Sequence, residues 1–275
     1  MSVTMRKLSL EEHQQILYDI LYHLDDFCIQ HKIQYFIAYG TLIGAVRNQG
    51  IIPWDDDVDI WMVREEYERF LKEIIKYPIP GYTVNSIECT KGYYYPFIKL
   101  SKEGTLLIEP FKYVPPIGIN IDIFPIDGCP SSDLEEARSY AIKKRNEIWY
   151  QIHHWTDMKW NDYHGIASKA AYLKYSIPYF KKKKLKQHYD GCSNYSIQDS
   201  DFFSKTVWSF DEGRDVHSID TIANSVQLTF GTRKLPAPIG YHKILTAIYG
   251  DYMTPPPIEK QKTTHQHNGV YLISK

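Results

Sequence analysis

Between Tyr39 and Trp61 the chain reads YGTLIGAVRNQGIIPWDDDVDIW, and Asp55, Asp56, Asp57 and Asp59 fall within five positions. Like charges packed this closely repel one another, and a cation or a basic ligand would relieve the strain. The segment also alternates. Read as a strand over 57–63, it puts Val58, Ile60 and Met62 on one face and Asp57, Asp59 and Trp61 on the other. Asp57 and Asp59 then project side by side, as the hard oxygen ligands that Mg²⁺ or Mn²⁺ accepts while still holding substrate phosphates.

The flanks extend this pattern. Gly40-Thr41 lies at a strand-to-helix transition, where a glycine lets the backbone approach a phosphate and a helix N-terminus offers free N–H groups. A third carboxylate is expected from a neighbouring strand. Asp122, in GINIDIFPID, interrupts an apolar run, and a buried carboxylate needs a partner or a metal; Asp127, beyond Pro125, is the weaker choice. Two metals on three carboxylates suit in-line attack at phosphorus, one activating the incoming hydroxyl and one steadying the leaving phosphate.

Around this segment, Ser9 and Glu12 have capping-box spacing, and Ile16, Ile20, Leu24 and Phe27 recur at helical spacing, so residues 10–31 read as an amphipathic helix. A strand is expected over 33–38, a short helix over 41–47, a helix over 65–76 and strands over 82–88, 94–100, 105–109 and 118–124. Ser132 and Glu135 mark a second capping box, opening a helix to about His153. Residues 165–190 read as mainly helical with a break at Pro178, 207–210 as a strand or helix end, and 241–249 as a last helix before a polar tail. The expected fold is α+β: a mixed sheet flanked by helices, then a mostly helical C-terminal part. The expected division is an N-terminal helix packed on the core over 1–32, a catalytic core over 33–155 and the helical part over 156–275.

Composition excludes several classes. Against 32 Lys+Arg stand 33 Asp+Glu, a net charge of -1, which removes the global argument for nucleic-acid binding. No apolar run approaches the ~20 residues of a membrane span. The N-terminus has no apolar signal-peptide core, so a cytoplasmic protein is expected. Four separated cysteines read as buried free thiols, not a zinc site or disulfides. The lysine run Lys181–Lys184 with Lys186 is ordinarily a solvated helix face; its other reading is weak contact with an anionic membrane at the inner face of the cell membrane. His153 and His154, adjacent on a helix, face apart and read as structural.

A Gly-Thr at a helix start, a D-x-D strand and a later Asp resemble the nucleotidyltransferase superfamily. The longer string GTLIGAVRNQGIIPWDDDVDI is similar to the LicD family of phosphocholine transferases, relatives of fukutin. The likeness continues in YYYPFIKL, GINIDIFPIDG and, loosely, YGDYMTPPP. It implies transfer of phosphocholine from CDP-choline to a hydroxyl of a cell-surface glycan, such as teichoic acid, with CMP leaving. It implies Asp57 and Asp59 as metal ligands, Asp122 as third carboxylate (ligand or general base), and Gly40 and Thr41 facing phosphate. Family members often carry a histidine after the Pro-rich stretch; here it is either His265 or His267.

Arg47 and Lys99 could neutralise donor phosphates, or form surface ion pairs. Asp55 and Asp56 read as loop charges or outer partners of the ligands. Trp54, Trp61, Tyr93, Tyr94 and Tyr95 could supply an aromatic box for a quaternary ammonium, although each singly suits core packing; Trp54 and Tyr95 head the donor-binding set. The rival functions are transfer of another cytidine-activated polyol or sugar phosphate, a D-x-D glycosyltransferase, and a binding module with a dead site.

Overall fold

Helix α1, Leu10–His31, forms where its apolar stripe and caps agree. The Ser9 hydroxyl accepts from the Glu12 N–H at 3.1 Å, and the Glu12 carboxylate accepts from the Ser9 N–H at 2.9 Å. At the other end Lys32 takes a left-handed φ of 56° and closes the helix on Cys28 and Ile29. The computed structural model describes residues 4–93, 95–109, 117–156, 165–210, 212–263 and 269–274.

The elements before the middle of the chain are β1 (Thr4–Lys7), α1, β2 (Phe36–Ile37), α2 (Tyr39–Ile43, extended by a π turn over Gly44–Asn48), β3 (Asp59–Val63), α3 (Arg64–Lys76), β4 (Tyr82–Asn85), β5 (Ile98–Lys102), β6 (Thr105–Ile108) and β7 (Asn120–Gly128). Then follow α4 (Leu134–Thr156), α5 (Ile166–Ser176), α6 (Pro178–Cys192), β8 (Phe202–Ser204), β9 (His217–Ser218), β10 (Ser225–Phe230), β11 (Arg233–Pro238), α7 (Tyr241–Tyr249) and β12 (Gly269–Ser274).

The main sheet runs β2-β3-β7-β5-β4, with β8 joined to the end of β7 and β9 to β8. Strands β3 and β7 are parallel and their other neighbours antiparallel, so the sheet is mixed, as the α+β reading requires. Both faces are covered. On one, Leu17, Ile20, Leu21 and Leu24 of α1 and Phe70 and Ile74 of α3 pack on Val58, Ile60, Met62, Ile121 and Ile123. On the other, Trp61, Phe124 and Ile126 pack against Leu185, Phe203, Ile244 and Ile248. Trp61, placed on the acidic face by its spacing, is thus a fully buried core residue.

Other expectations shift with tertiary context. Strand β3 begins at Asp59, so Asp57 precedes it, although Val58 O still accepts from Asp122 N at 2.9 Å. Strand β2 shrinks to two residues. The cap of α4 is Asp133, whose Oδ1 accepts from the N–H groups of Glu135 and Glu136, and not Ser132. The segment at 206–208 is a 3-10 turn. The C-terminal part holds α5, α6 and α7 but also β8 to β12; β12 joins β1 to β6 in a second sheet, and β10 and β11 form a hairpin. No helix among the described residues is long and apolar enough to cross a membrane.

Candidate active site

Register builds the site. Because β3 and β7 run parallel with Asp59 opposite Asp122, and β5 runs antiparallel with Lys99 opposite Asp122, the three side chains form one cross-strand row on one face of the sheet. Lys99 Nζ donates to Asp122 Oδ1 at 2.7 Å and to Asn120 Oδ1 at 3.2 Å. Burial works against the Lys99 charge, yet the carboxylates of Asp122, Glu109 and Asp59 hold its ammonium above the usual lysine range. Lys99 is therefore tied to Asp122.

The rest of the acidic segment gathers beside that row. Ligand atoms of Asp55, Asp56 and Asp57 lie within 4.8 Å of one another, close enough to share one cation. Asp55, expected as a loop charge or an outer partner, is thereby drawn into the cluster. Its carboxylate rests on Gly40: a Cβ at that position would come within 2.8 Å of Asp55 Oδ2. The backbone of the Asp55 loop is fixed from α1 by Gln14 Nε2, which donates to the carbonyls of Asp55 at 2.7 Å and Ile52 at 3.1 Å. Burial, with the neighbouring charge and hydrogen bond of Asp57, pushes the Asp55 carboxyl up to about 8.

That shift has a sign. The native protein retains on Asp55 a proton that the unfolded chain releases near 3.8, so this group favours folding at low pH, and the contribution is lost as pH rises toward about 8. In chelator, the melting temperature is expected to fall across that window, and Asp55→Asn should flatten the fall. An unchanged slope in the variant would count against a proton held on Asp55.

Thr41 is buried, and its Oγ1 accepts from the Asp59 N–H at 2.9 Å, so it sets the start of β3. Arg47 Nη1 donates to the Tyr252 carbonyl at 3.0 Å, and its guanidinium lies 5.7 Å from the Trp54 ring. Tyr95 is buried, hydrogen-bonded to Glu109, with Lys99 Nζ 4.9 Å from its ring centroid. Tyr93 is buried and donates its hydroxyl to the Phe97 carbonyl. Among the described residues of the expected aromatic box, Trp61 and Tyr93 are core and the protein's own cations lie near Trp54 and Tyr95, while Tyr94 lies outside the described residues. His265 and His267 also lie outside them. Asp127 is fully spent, bridging Arg64 at 2.7 and 2.6 Å and Thr206 at 2.8 Å. Of the lysine run, Lys182 and Lys183 are exposed, while Lys186 pairs with Asp190 at 3.3 Å and Glu88 at 3.6 Å.

Three further residues come to the site from the C-terminal half, where the sequence pattern is weak. The charges of Asp59, Asp57 and Asp55 act on the Tyr249 phenol of α7, after burial the main cause of its raised pKa. Lys205 and Asp215 are both buried, and the charges of Asp215, Asp59, Asp122 and Asp57 act on the Lys205 amine. A lone lysine in the apolar run DFFSKTVWSF is the same signal that singles out Asp122, and it could have found Lys205.

The LicD/FKTN/FKRP nucleotidyltransferase domain matches residues 32–165 of the chain. The lipopolysaccharide cholinephosphotransferase LicD of Haemophilus influenzae is 32% identical over 277 residues, spanning 98% of this chain and 100% of its own length. An uncharacterised protein of Rickettsia prowazekii is 43% identical over 70 residues, 25% of this chain and 26% of that one. One from Rickettsia typhi is 38% identical over 68 residues, 25% of this chain and 22% of its own.

Proposed function

The chain belongs to the LicD family, and on that premise we propose that it transfers phosphocholine from CDP-choline to a hydroxyl of a cell-surface glycan, a lipopolysaccharide or a teichoic acid. The observation that carries the transfer chemistry is the row Asp59–Asp122–Lys99 set beside the Asp55–Asp57 cluster. The choline head group rests on the activity of the full-length relative.

The acceptor oxygen attacks the phosphorus that bears choline. Its new P–O bond forms as the bond from that phosphorus to the bridging oxygen breaks, and CMP leaves with the electron pair. The hydroxyl proton passes to a carboxylate. Asp122 would take it: Lys99 binds one of its oxygens, and the side chain keeps 21% exposure.

The residues fit a divalent cation: ligand atoms of Asp55, Asp56 and Asp57 lie within 4.8 Å of one another, and burial with the charge of Asp57 raises the pKa of the Asp55 carboxyl. Asp57, Asp59 and the neighbouring aspartates would hold Mg²⁺ or Mn²⁺, with Asp122 as the third carboxylate of the sequence pattern. The metal would supply Lewis acidity at the donor phosphates. Lys99 would release Asp122 in part and turn to phosphate oxygen when donor enters. Exposed Lys182 and Lys183, with Lys184, would give weak, salt-sensitive contact with an anionic leaflet.

The test is a donor screen in Mg²⁺ with glycan acceptor, reading the nucleotide released. CMP from CDP-choline, and much less from CDP-ethanolamine or a CDP-polyol, is the expected result. CMP from the polyol donor alone would move the reading to polyol phosphate transfer. Release of a nucleoside diphosphate from a nucleotide sugar would move it to glycosyl transfer.

A further inference from the structure

Lys205 stands between β8 and the 3-10 turn at Thr206–Trp208, with only 4% of its surface exposed. Its neighbours hold it rigidly. Ser204 pairs with Asp127 of β7, Thr206 Oγ1 donates to Asp127 Oδ2 at 2.8 Å, and the Trp208 N–H donates to the Lys205 carbonyl at 2.9 Å. Three rings wall the ammonium, with centroids 3.9 Å (Phe124), 4.3 Å (Tyr39) and 5.3 Å (Phe210) from Nζ. Among the described residues the Lys205 side chain makes no ion pair and donates no hydrogen bond.

A buried ammonium carries three N–H donors, and leaving them unmatched is costly. Aromatic faces offset part of that cost. The nearest counter-charge in effect is Asp215, itself fully buried, whose Oδ1 accepts from Ser209 Oγ at 2.6 Å and whose Oδ2 has no partner. Burial lowers the Lys205 pKa against the opposing pull of Asp215, Asp59, Asp122 and Asp57, so three carboxylates of the site bear on the amine. The wall residue Phe124 follows Asp122 by two on β7, on the same face of the sheet, which places the cage next to the carboxylate row. A second wall, Tyr39, is held at a φ of 48°, a conformation that a side chain this large rarely adopts and that clusters at functional sites.

One ligand satisfies both halves of this arrangement, since a metal-bound diphosphate brings a cation to the carboxylates and anionic oxygens to the ammonium. We propose that Lys205 is a catalytic residue whose ammonium binds the diphosphate of the nucleotide donor and neutralises charge gathering on the leaving phosphate. The assignment rests on the phosphoryl-transfer reading above but not on the choline head group.

The test uses the full chain in Mg²⁺ and measures binding of CDP, inorganic pyrophosphate and cytidine by calorimetry, alongside melting temperature. Lys205→Met fills the cage without charge; Lys205→Gln serves if the methionine variant does not fold. The variant is expected to melt at or above wild type and to lose CDP and pyrophosphate affinity by about 10- to 100-fold, with cytidine binding unchanged. Wild-type affinity for CDP and pyrophosphate in the variant would overturn the assignment, as would a wild type that binds neither. A lowered melting temperature that Asp215→Asn restores, with CDP affinity intact, would make Lys205 a counter-ion of Asp215 and also overturn it. Lys205-dependent CDP binding without CMP release from CDP-choline would end the phosphocholine reading and leave this assignment standing. Turnover of CDP-choline at the wild-type rate by Lys205→Met would do the reverse.

Discussion

Asp57→Asn and Asp59→Asn are each expected to lower transfer by about 10³-fold or more, because each removes a hard anionic ligand at unchanged side-chain volume. Folding should survive both. Neither side chain belongs to the two core clusters that cover the sheet. Removing a charge from a crowded cluster also relieves repulsion, and the Asp57 charge is one cause of the raised Asp55 pKa. Val58→Asn is the control: Val58 is 1% exposed among Ile60, Ile121 and the α1 leucines, so its amide would be buried unpaired and stability would drop without any change in charge. Rates of CMP release and melting curves separate the two effects. Mg²⁺ should raise the melting temperature of wild type more than that of either aspartate variant, since a ligand that binds only the native state stabilises it. Near-normal turnover in both variants would sink the mechanism.

The largest stability effect is expected at Asp127. Arg64 Nε and Nη2 reach its two oxygens at 2.7 and 2.6 Å, the arginine is 8% exposed and the aspartate 1%. The guanidinium also lies 4.4 Å from the Tyr189 ring centroid. Asp127→Ala leaves that guanidinium buried without a partner, a cost of about 3–5 kcal/mol, or a fall of roughly 10 °C in melting temperature for a chain of this size. The double variant Arg64→Met, Asp127→Leu should recover much of the loss, because no charge then remains to be desolvated. A melting temperature unchanged in Asp127→Ala would refute the assignment. The damage should also reach the site, since Asp127 anchors Ser204 and Thr206 on either side of Lys205.

Much of this molecule is legible in its residues because the relevant forces are local. Helix α1 is found to the residue, from Leu10 to His31, and α7 from Tyr241 to Tyr249. Periodicity and caps act within a turn or two of helix, and no distant partner is needed to read them. The alternation around Asp59 also holds: Val58, Ile60 and Met62 enter one core, and Trp61 enters the other. The hairpin of β10 and β11 was within reach too, since Gly231-Thr232, with φ 63° at the glycine, is a two-residue turn between alternating runs.

The sequence by itself thus determined the fold class, the acidic strand and the family to which the chain belongs. Only the tertiary structure decided which charges meet. The tail expected to be polar ends in the apolar stretch GVYLIS, which forms β12 because Thr4 and Leu107, far away in the chain, supply its neighbours at Ser274 and Val270. Lys99 finds Asp122 through the register of β5 on β7, Asp127 is taken from the site by Arg64, and Asp55 closes on Gly40. The charges of the carboxylates bear on Lys205 because β8 adds to the end of β7, 79 residues from Asp127 to its partner Thr206. A strand or an ion pair is stabilised by what lies across from it, and that partner is fixed by long-range register and burial, which no local pattern of residues encodes.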